Sequence, residues 1–456
     1  MIKFHTIINE NPSWFTIERS LFKPYFLRKF CVDIQVWALE KMESDSLQNL
    51  ENQQLRRMQK LVRHAYASVT YWNDLLNKAG IRPKDIKCIK DFQKIPHTTK
   101  VKFKTVPVKE RVSSSIKSSR HYPLITSGST GTPTPIVLDA WTAERRLATR
   151  DRGIRWVFGP RKKEDLYIRI SPRNTLDTLY AGAGYMTFNA PDFDRIDMVK
   201  EKIYDICGKN NCIILSNPSI MFYLAQLAQR DKQTFSLEGI IMGGENILPS
   251  TKEYIKKIFQ CPTASRYTCS EAGTLASECR YGNYHTNQDQ YYVEVIDVDE
   301  NIPIYEKAGK VIVTDFNNYV MPFIRYEIGD MGILYPNHRC KCGLLFPIIE
   351  FVGRDTATVK LPNGEDHLVW KILNPLTAAK KRPWILQFQM IRKSVYDFEI
   401  LIVTTNEETR DDIDSIKKAM QRELGMDAKI SIIKVPKINV SDGVKLRSYI
   451  SLIVEK

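Results

Sequence analysis

Apolar positions recur at helical spacing from about residue 12 to residue 116. Over 46–80 they are Leu47, Leu50, Leu55, Met58, Leu61, Val62 and Ala65, three and four residues apart, which predicts one buried face of a helix. From 122 to 352 the pattern changes. Short strand-like runs, LYIRI at 166–170, CIILS at 212–216, GIIMGG at 239–244, YYVEVID at 291–297 and KVIVTDF at 310–316, alternate with helical stretches. After Gly353 come two strand patterns, LQFQMIR and DFEILIVTT, a charged helix over 407–424, and the strand AKISIIKVP. The pattern predicts an α/β fold. A large N-terminal domain covers 1–353, mainly helical over 1–121 and α/β over 122–353, and a smaller α+β domain covers 354–456.

Composition narrows the class without naming it. The 456 residues, 43% hydrophobic and 26% charged, have room for more than one globular core. No uncharged apolar stretch approaches the roughly 18 residues that span a bilayer. The N-terminal stretch lacks the apolar core of a secretory signal, which leads us to expect a cytoplasmic protein. Nine cysteines are too dilute for a disulfide scaffold. The net charge is +15, and residues 1–125 hold 23 lysines and arginines against 11 acidic residues, so 12 of the 15 excess charges lie there. Lys94, Lys100, Lys102, Lys104 and Lys109 form the densest part. No nucleic-acid signature accompanies them. They read as a solvated basic face, or as one that draws anionic small molecules and weakly associates with anionic surfaces.

The first candidate chemistry is Thr126-Ser127-Gly128-Ser129-Thr130-Gly131-Thr132-Pro133, which follows the apolar run YPLI. Two glycines let the backbone approach a ligand closely, and hydroxyls with exposed amides donate to phosphate oxygens. No Gly-Lys-Ser/Thr follows, so this is not a Walker loop. Alone it reads equally well as a surface turn.

Further motifs follow in order: Gly243-Gly244-Glu245, Tyr267-Thr268-Cys269-Ser270-Glu271, Arg325-Tyr326-Glu327-Ile328-Gly329-Asp330, Gly353-Arg354 and Gly443-Val444-Lys445-Leu446-Arg447. With the 126–133 loop, the set resembles the adenylate-forming superfamily of acyl-CoA synthetases, on the branch of phenylacetate-CoA ligases and capsule-biosynthesis adenylating proteins. The stretch LVRHAYASVTYWNDLLNKAGI and the later KIPHTTK are similar to that branch's opening helices.

The resemblance implies the following roles. Residues Thr126, Ser127, Gly128, Ser129, Thr130, Gly131 and Thr132 cradle ATP phosphates, and Gly243, Gly244 and Glu245 line the adenine side. Tyr267 offers a flat face to adenine beside Ser270, Glu271 holds Mg²⁺, Asp330 accepts the ribose hydroxyls, and Arg354 marks the hinge. Lys445, in the small domain, reaches the ATP only when that domain closes, and stabilises the charge moving at the α-phosphate. Read singly, Tyr267 would be a core aromatic, Glu271 a helix-start carboxylate and Asp330 a turn residue.

Cys279, His285, Cys340 and Cys342 are the donor set of a closed tetrahedral zinc site, with His338 as rival fourth ligand and buried free thiols as the alternative. The branch includes members with a cysteine-rich site of this kind. Four protein donors leave no open position, which makes the expected metal structural.

The expected activity is ATP-dependent formation of an acyl-AMP from a small carboxylate, with release of pyrophosphate and transfer of the acyl group to an acceptor. Position 356–357 lacks the usual acidic pair and LPNGE stands at 361–365. These departures tilt the expectation slightly towards an amine acceptor and an amide product, with CoA as the alternative. A non-catalytic scaffold in polysaccharide assembly is the rival from another class. The acid and the oligomeric state are not legible.

Overall fold

The computed structural model describes residues 25–125, 135–162, 165–171, 185–190, 193–233, 237–354, 358–360, 366–377, 382–405, 407, 409–439 and 446–453. The Thr126–Thr132 loop and Lys445 lie outside them, as does LPNGE.

Three helices open the described chain: α1 (Tyr25–Met42), α2 (Leu47–Ser68) and α3 (Thr70–Lys78). The Ser46 side chain caps α2 by accepting from the Asn49 amide, satisfying one of the helix's orphan donors. Leu50, Met58, Leu61, Val62 and Ala65 are buried as their spacing predicts, whereas Leu47, in the first turn, is exposed. A two-residue strand β1 (Thr98–Thr99) runs into the short helices α4 (Lys100–Thr105) and α5 (Val108–Arg111). Next, β2 (Tyr122–Ile125) and β3 (Pro135–Leu138) pair antiparallel, with Ile125 opposite Pro135.

The helix α6 (Ala140–Phe158) then leads into β4 (Leu166–Ser171), β5 (Tyr185–Asn189), α7 (Phe193–Lys209), β6 (Cys212–Ser216), α8 (Pro218–Arg230), β7 (Gly239–Gly243), α9 (Pro249–Phe259) and β8 (Thr263–Cys269). Strands β5, β4, β6, β7 and β8 are neighbours in that order and parallel. The runs CIILS and GIIM are buried throughout because helices cover both faces of a parallel sheet.

At β8 the sheet changes direction. It continues antiparallel through β9 (Gly273–Glu278), β10 (Tyr284–Thr286), β14 (Ile348–Arg354), β13 (Tyr326–Tyr335), β12 (Ala308–Asp315) and β11 (Tyr291–Ile296), with β1 parallel to β13. The carboxyl end of β8 therefore lies where the sheet's order changes, the kind of position at which open α/β sheets take ligands.

Beyond Arg354 a two-stranded ribbon, β15 (Thr358–Lys360) and β16 (Asp366–Leu368), precedes α10 (Val369–Thr377). A separate four-stranded sheet follows. It comprises β17 (Ile385–Arg392), β18 (Asp397–Thr404), β19 (Lys429–Lys434) and β20 (Tyr449–Ser451), with α11 (Arg410–Leu424) packed on it. The β-β-α-β pattern gains β20, a strand too short for periodicity to reveal. This unit has its own core around Phe398, Ile400, Ile416 and Met420. It docks on the large unit through Leu386, Val403 and Ile438, which share a cluster with α8. Among the described residues no helix is long and apolar enough to cross a membrane.

Candidate functional site

Tyr267, near the end of β8, stacks face to face on Phe351 of β14, with centroids 3.4 Å apart and planes 16° apart. Its hydroxyl donates to Asp330 Oδ2. Asp330 lies in β13, paired with Arg354 across the ladder, so the Asp and hinge motifs meet beside the tyrosine. Gly329 before it has φ +80°, a left-handed turn that glycine adopts without strain.

Glu271, two residues past β8, is 4% exposed. Its Oε1 lies 3.1 Å from Lys100 Nζ and 3.4 Å from the Tyr326 hydroxyl. Burial, reinforced by this carboxylate, drives the Tyr326 phenol far above its ordinary range, so it remains a neutral donor. Burial also pushes the neighbouring Cys269 thiol up to about 12, with Glu271 adding to the effect. Arg146 of α6 fixes the backbone here, donating to the carbonyls of Ser270, at 3.0 Å, and Glu271, while Asp315 Oδ2 holds it from behind at 3.2 Å. Lys100, Arg146 and Phe351 were missed as site residues. Lys100 read as part of a solvated basic face, yet its side chain is only 20% exposed.

The Gly243-Gly244 turn ends β7, and Gly244 has φ +89°. Glu245 is engaged in a cap. Its carboxylate accepts from the Ser219 amide and hydroxyl, both at 3.0 Å, and from the Asn217 side chain at 3.2 Å, at the N-terminus of α8. The carboxylate of this motif is therefore taken up by the helix cap.

Cys279, His285, Cys340 and Cys342 converge, with one donor atom from each within 4.8 Å of the others. Cys279 Sγ and Cys340 Sγ are 3.7 Å apart, and Cys342 Sγ lies 3.2 Å from His285 Nε2. The fully buried His285 ring places Nδ1 2.8 Å from the Phe346 carbonyl, to which it donates, leaving Nε2 as a lone-pair donor towards the sulfurs. Burial raises the Cys340 thiol, but the Cys342 amide and the Asn283 side chain outweigh it, and the thiol falls to about 6. His338 lies apart from the cluster, edge-on to Tyr335. Gly273 at the start of β9 pairs with Cys269 and Ala276 pairs with Tyr267, while Cys279 follows the far end of the same strand, roughly 20 Å from Gly273 at about 3.3 Å per residue. The donor set fits a closed zinc site, set off along β9 from Glu271 and three residues beyond Ala276, the partner of Tyr267.

No family model matches the chain. It is 24% identical over 328 residues to the phenylacetate-coenzyme A ligase of Thermus thermophilus, covering 67% of this chain and 69% of that one. It is 26% identical over 309 residues to the enzyme of the same name from Aromatoleum evansii, covering 65% and 69%. Among solved structures, it matches 2-hydroxyisobutyryl-CoA ligase in its postadenylation state with 2-HIB-AMP at a TM-score of 0.73 and 17% identity, over 90% of this chain and 91% of that one. The same ligase in an open conformation with 2-HIB-AMP and CoA gives 0.62, at 17% identity over 88% and 91%.

Proposed function

We propose that this chain, an AMP-forming ligase of the adenylate-forming superfamily on its phenylacetate-CoA ligase branch, joins a small carboxylic acid to AMP and then passes the acyl group to CoA. The observation that carries the reading is the meeting of Tyr267, Asp330, Glu271 and Lys100 at the carboxyl end of β8, from three segments distant in sequence.

In the first half-reaction a carboxylate oxygen of the acid attacks the α-phosphorus of ATP. The bond to the bridging oxygen breaks, and pyrophosphate leaves with the electron pair. The Tyr267 ring supplies a flat apolar face for adenine, and Asp330 accepts from the ribose hydroxyls once its bond from Tyr267 is shared. Glu271 would hold Mg²⁺, which neutralises triphosphate charge when bound. Lys100, freed from Glu271, offers its ammonium to the phosphates in a site largely closed to water, where such a donor is worth more than in bulk. In the second half-reaction the CoA sulfur attacks the acyl carbonyl and AMP departs, with its phosphate taking the electron pair. The similarity to phenylacetate-coenzyme A ligases and to a ligase held with an acyl-AMP and CoA supports CoA. The missing acidic pair at 356–357 and LPNGE at 361–365 favour an amine acceptor as the second reading.

Zinc held by Cys279, His285, Cys340 and Cys342 would tie the β9–β10 turn to the loop between β13 and β14. It takes no part in the chemistry.

Carboxylate-dependent exchange of pyrophosphate into ATP, over a panel of acids, tests adenylation; its absence with every acid sinks the reading. Supplying CoA and, separately, amines to the active combination and weighing the products by mass spectrometry decides the acceptor. Acyl-CoA supports the first reading, and an amide without acyl-CoA supports the second.

A further inference from the structure

The helix α5 ends on Arg111, a side chain 2% exposed. Its Nε and Nη1 are buried and make no hydrogen bond among the described residues. Arg145, also buried, donates to Gln290 at 2.7 Å, and several other arginines of the large unit, buried or nearly so, have carboxylates. Arg152 is paired with Asp289 at 2.7 Å, Arg325 with Glu294 at 3.1 Å and Arg146 with Asp315 at 3.2 Å. Among the described residues Arg111 keeps the face of Phe103, 4.9 Å from its guanidinium carbon. Burial depresses its basicity, opposed by the Tyr326 phenol. A charge taken out of water without an ionic partner destabilises the fold by several kcal/mol, more than one aromatic contact returns.

The location of this charge indicates its use. Phe103 packs edge-on against Tyr326, with centroids 5.5 Å apart, and the Tyr326 hydroxyl contacts the Glu271 carboxylate that Lys100 pairs with. Lys100 opens α4 and Arg111 closes α5, so two cations enter from the same helical pair. One approaches Glu271, and the other approaches the tyrosine beside it.

We propose that Arg111 is an anion-binding residue of the adenylation step, taking the pyrophosphate end of ATP. The proposal rests on the adenylation reading above. When the bond from the α-phosphorus to the bridging oxygen breaks, the electron pair stays on pyrophosphate, whose added negative charge is met by two unused N–H donors of a planar guanidinium. Such charge-assisted bonds strengthen as the charge develops. The free protein keeps Arg111 unsatisfied so that the bonds are made only when the anion arrives.

The test is Arg111→Met, which keeps the length and the apolar contact with Phe103, compared with wild type and Arg111→Lys. Melting temperatures are measured without ligand and with inorganic pyrophosphate, and KM values for pyrophosphate and acid are measured in the exchange assay. The proposal expects Arg111→Met to melt at or above the wild-type temperature when free and to lose the stabilisation by pyrophosphate. Its KM for pyrophosphate should rise about tenfold or more, while KM for the acid stays within about twofold. Arg111→Lys should fall between. A free Arg111→Met protein that melts lower yet responds to pyrophosphate like wild type overturns the proposal, because the arginine is then a packing residue. Absence of exchange in the wild type instead removes the adenylation reading itself, so the two failures are distinguishable.

Discussion

Lys100 Nζ lies 3.1 Å from Glu271 Oε1, joining the first residue of a short N-terminal helix to the last residue of the tyrosine motif. In the free protein the pair compensates a carboxylate that is 4% exposed. In the proposed reaction the carboxylate would hold Mg²⁺ and the ammonium would serve the phosphates.

Lys100→Ala is expected to lower pyrophosphate exchange by about two orders of magnitude and to lower the melting temperature, because Glu271 is left buried without its cation. Adding Glu271→Gln should restore the melting temperature without restoring exchange. Differential scanning calorimetry beside the exchange assay reads both; recovery of exchange in the double variant would refute the roles given to the pair.

Lys445 lies next to Leu446, which packs with the α8 cluster between the two units. The small unit is held there by Ser250 and Thr251 hydroxyls donating to the Ile385 and Leu386 carbonyls and by Gln226 donating to Pro436 at 3.1 Å. Lys445→Ala should reduce exchange by about two orders of magnitude or more while leaving thermal unfolding unchanged. Exchange at the wild-type rate would remove the need for this lysine at the α-phosphate.

Protein purified without chelator is expected to contain about one zinc per chain, and Cys340→Ser should lose metal and thermal stability together, because a four-donor site couples binding to folding. Residual exchange per folded molecule should remain, since four protein donors leave the metal no open position for substrate. Elemental analysis with unfolding curves checks this, and a metal-free wild type of unaltered stability would end it.

Asp289 accepts two bonds from Arg152, at 2.7 and 2.8 Å, with both side chains fully buried. Burial raises the Asp289 carboxyl, but Arg152 overcomes it and holds the group below its ordinary range. Asp289→Ala should cost about 3–5 kcal/mol by stranding the guanidinium. A folded-state pKa that is depressed contributes stability above the unfolded value of about 3.9 and loses it as pH falls towards the folded value. The gap between wild type and Asp289→Asn in urea unfolding is therefore widest above about pH 5 and narrows below about pH 4. A gap that widens on acidification would contradict the assignment.

The sequence by itself determined what depends on local periodicity and on short motifs. The buried face of α2, the wholly apolar parallel strands β6 and β7, and the separate small α+β unit follow from spacing, because burial is periodic within one element. Tyr267 and Asp330 were legible as motif residues. Their hydrogen bond was not, because it requires β14 to insert between β10 and β13 in the sheet. Tertiary structure alone brings His285 to the cysteines, since the antiparallel pairing of β10 with β9 and β14 carries it there. It also turned Glu245 into the cap of α8. Finally, it separated Lys100 and Arg111 from the solvated lysines around them. A cation's burial depends on what packs over it from elsewhere in the chain, and β13, bearing Tyr326 and seating β1, is contributed from more than two hundred residues away.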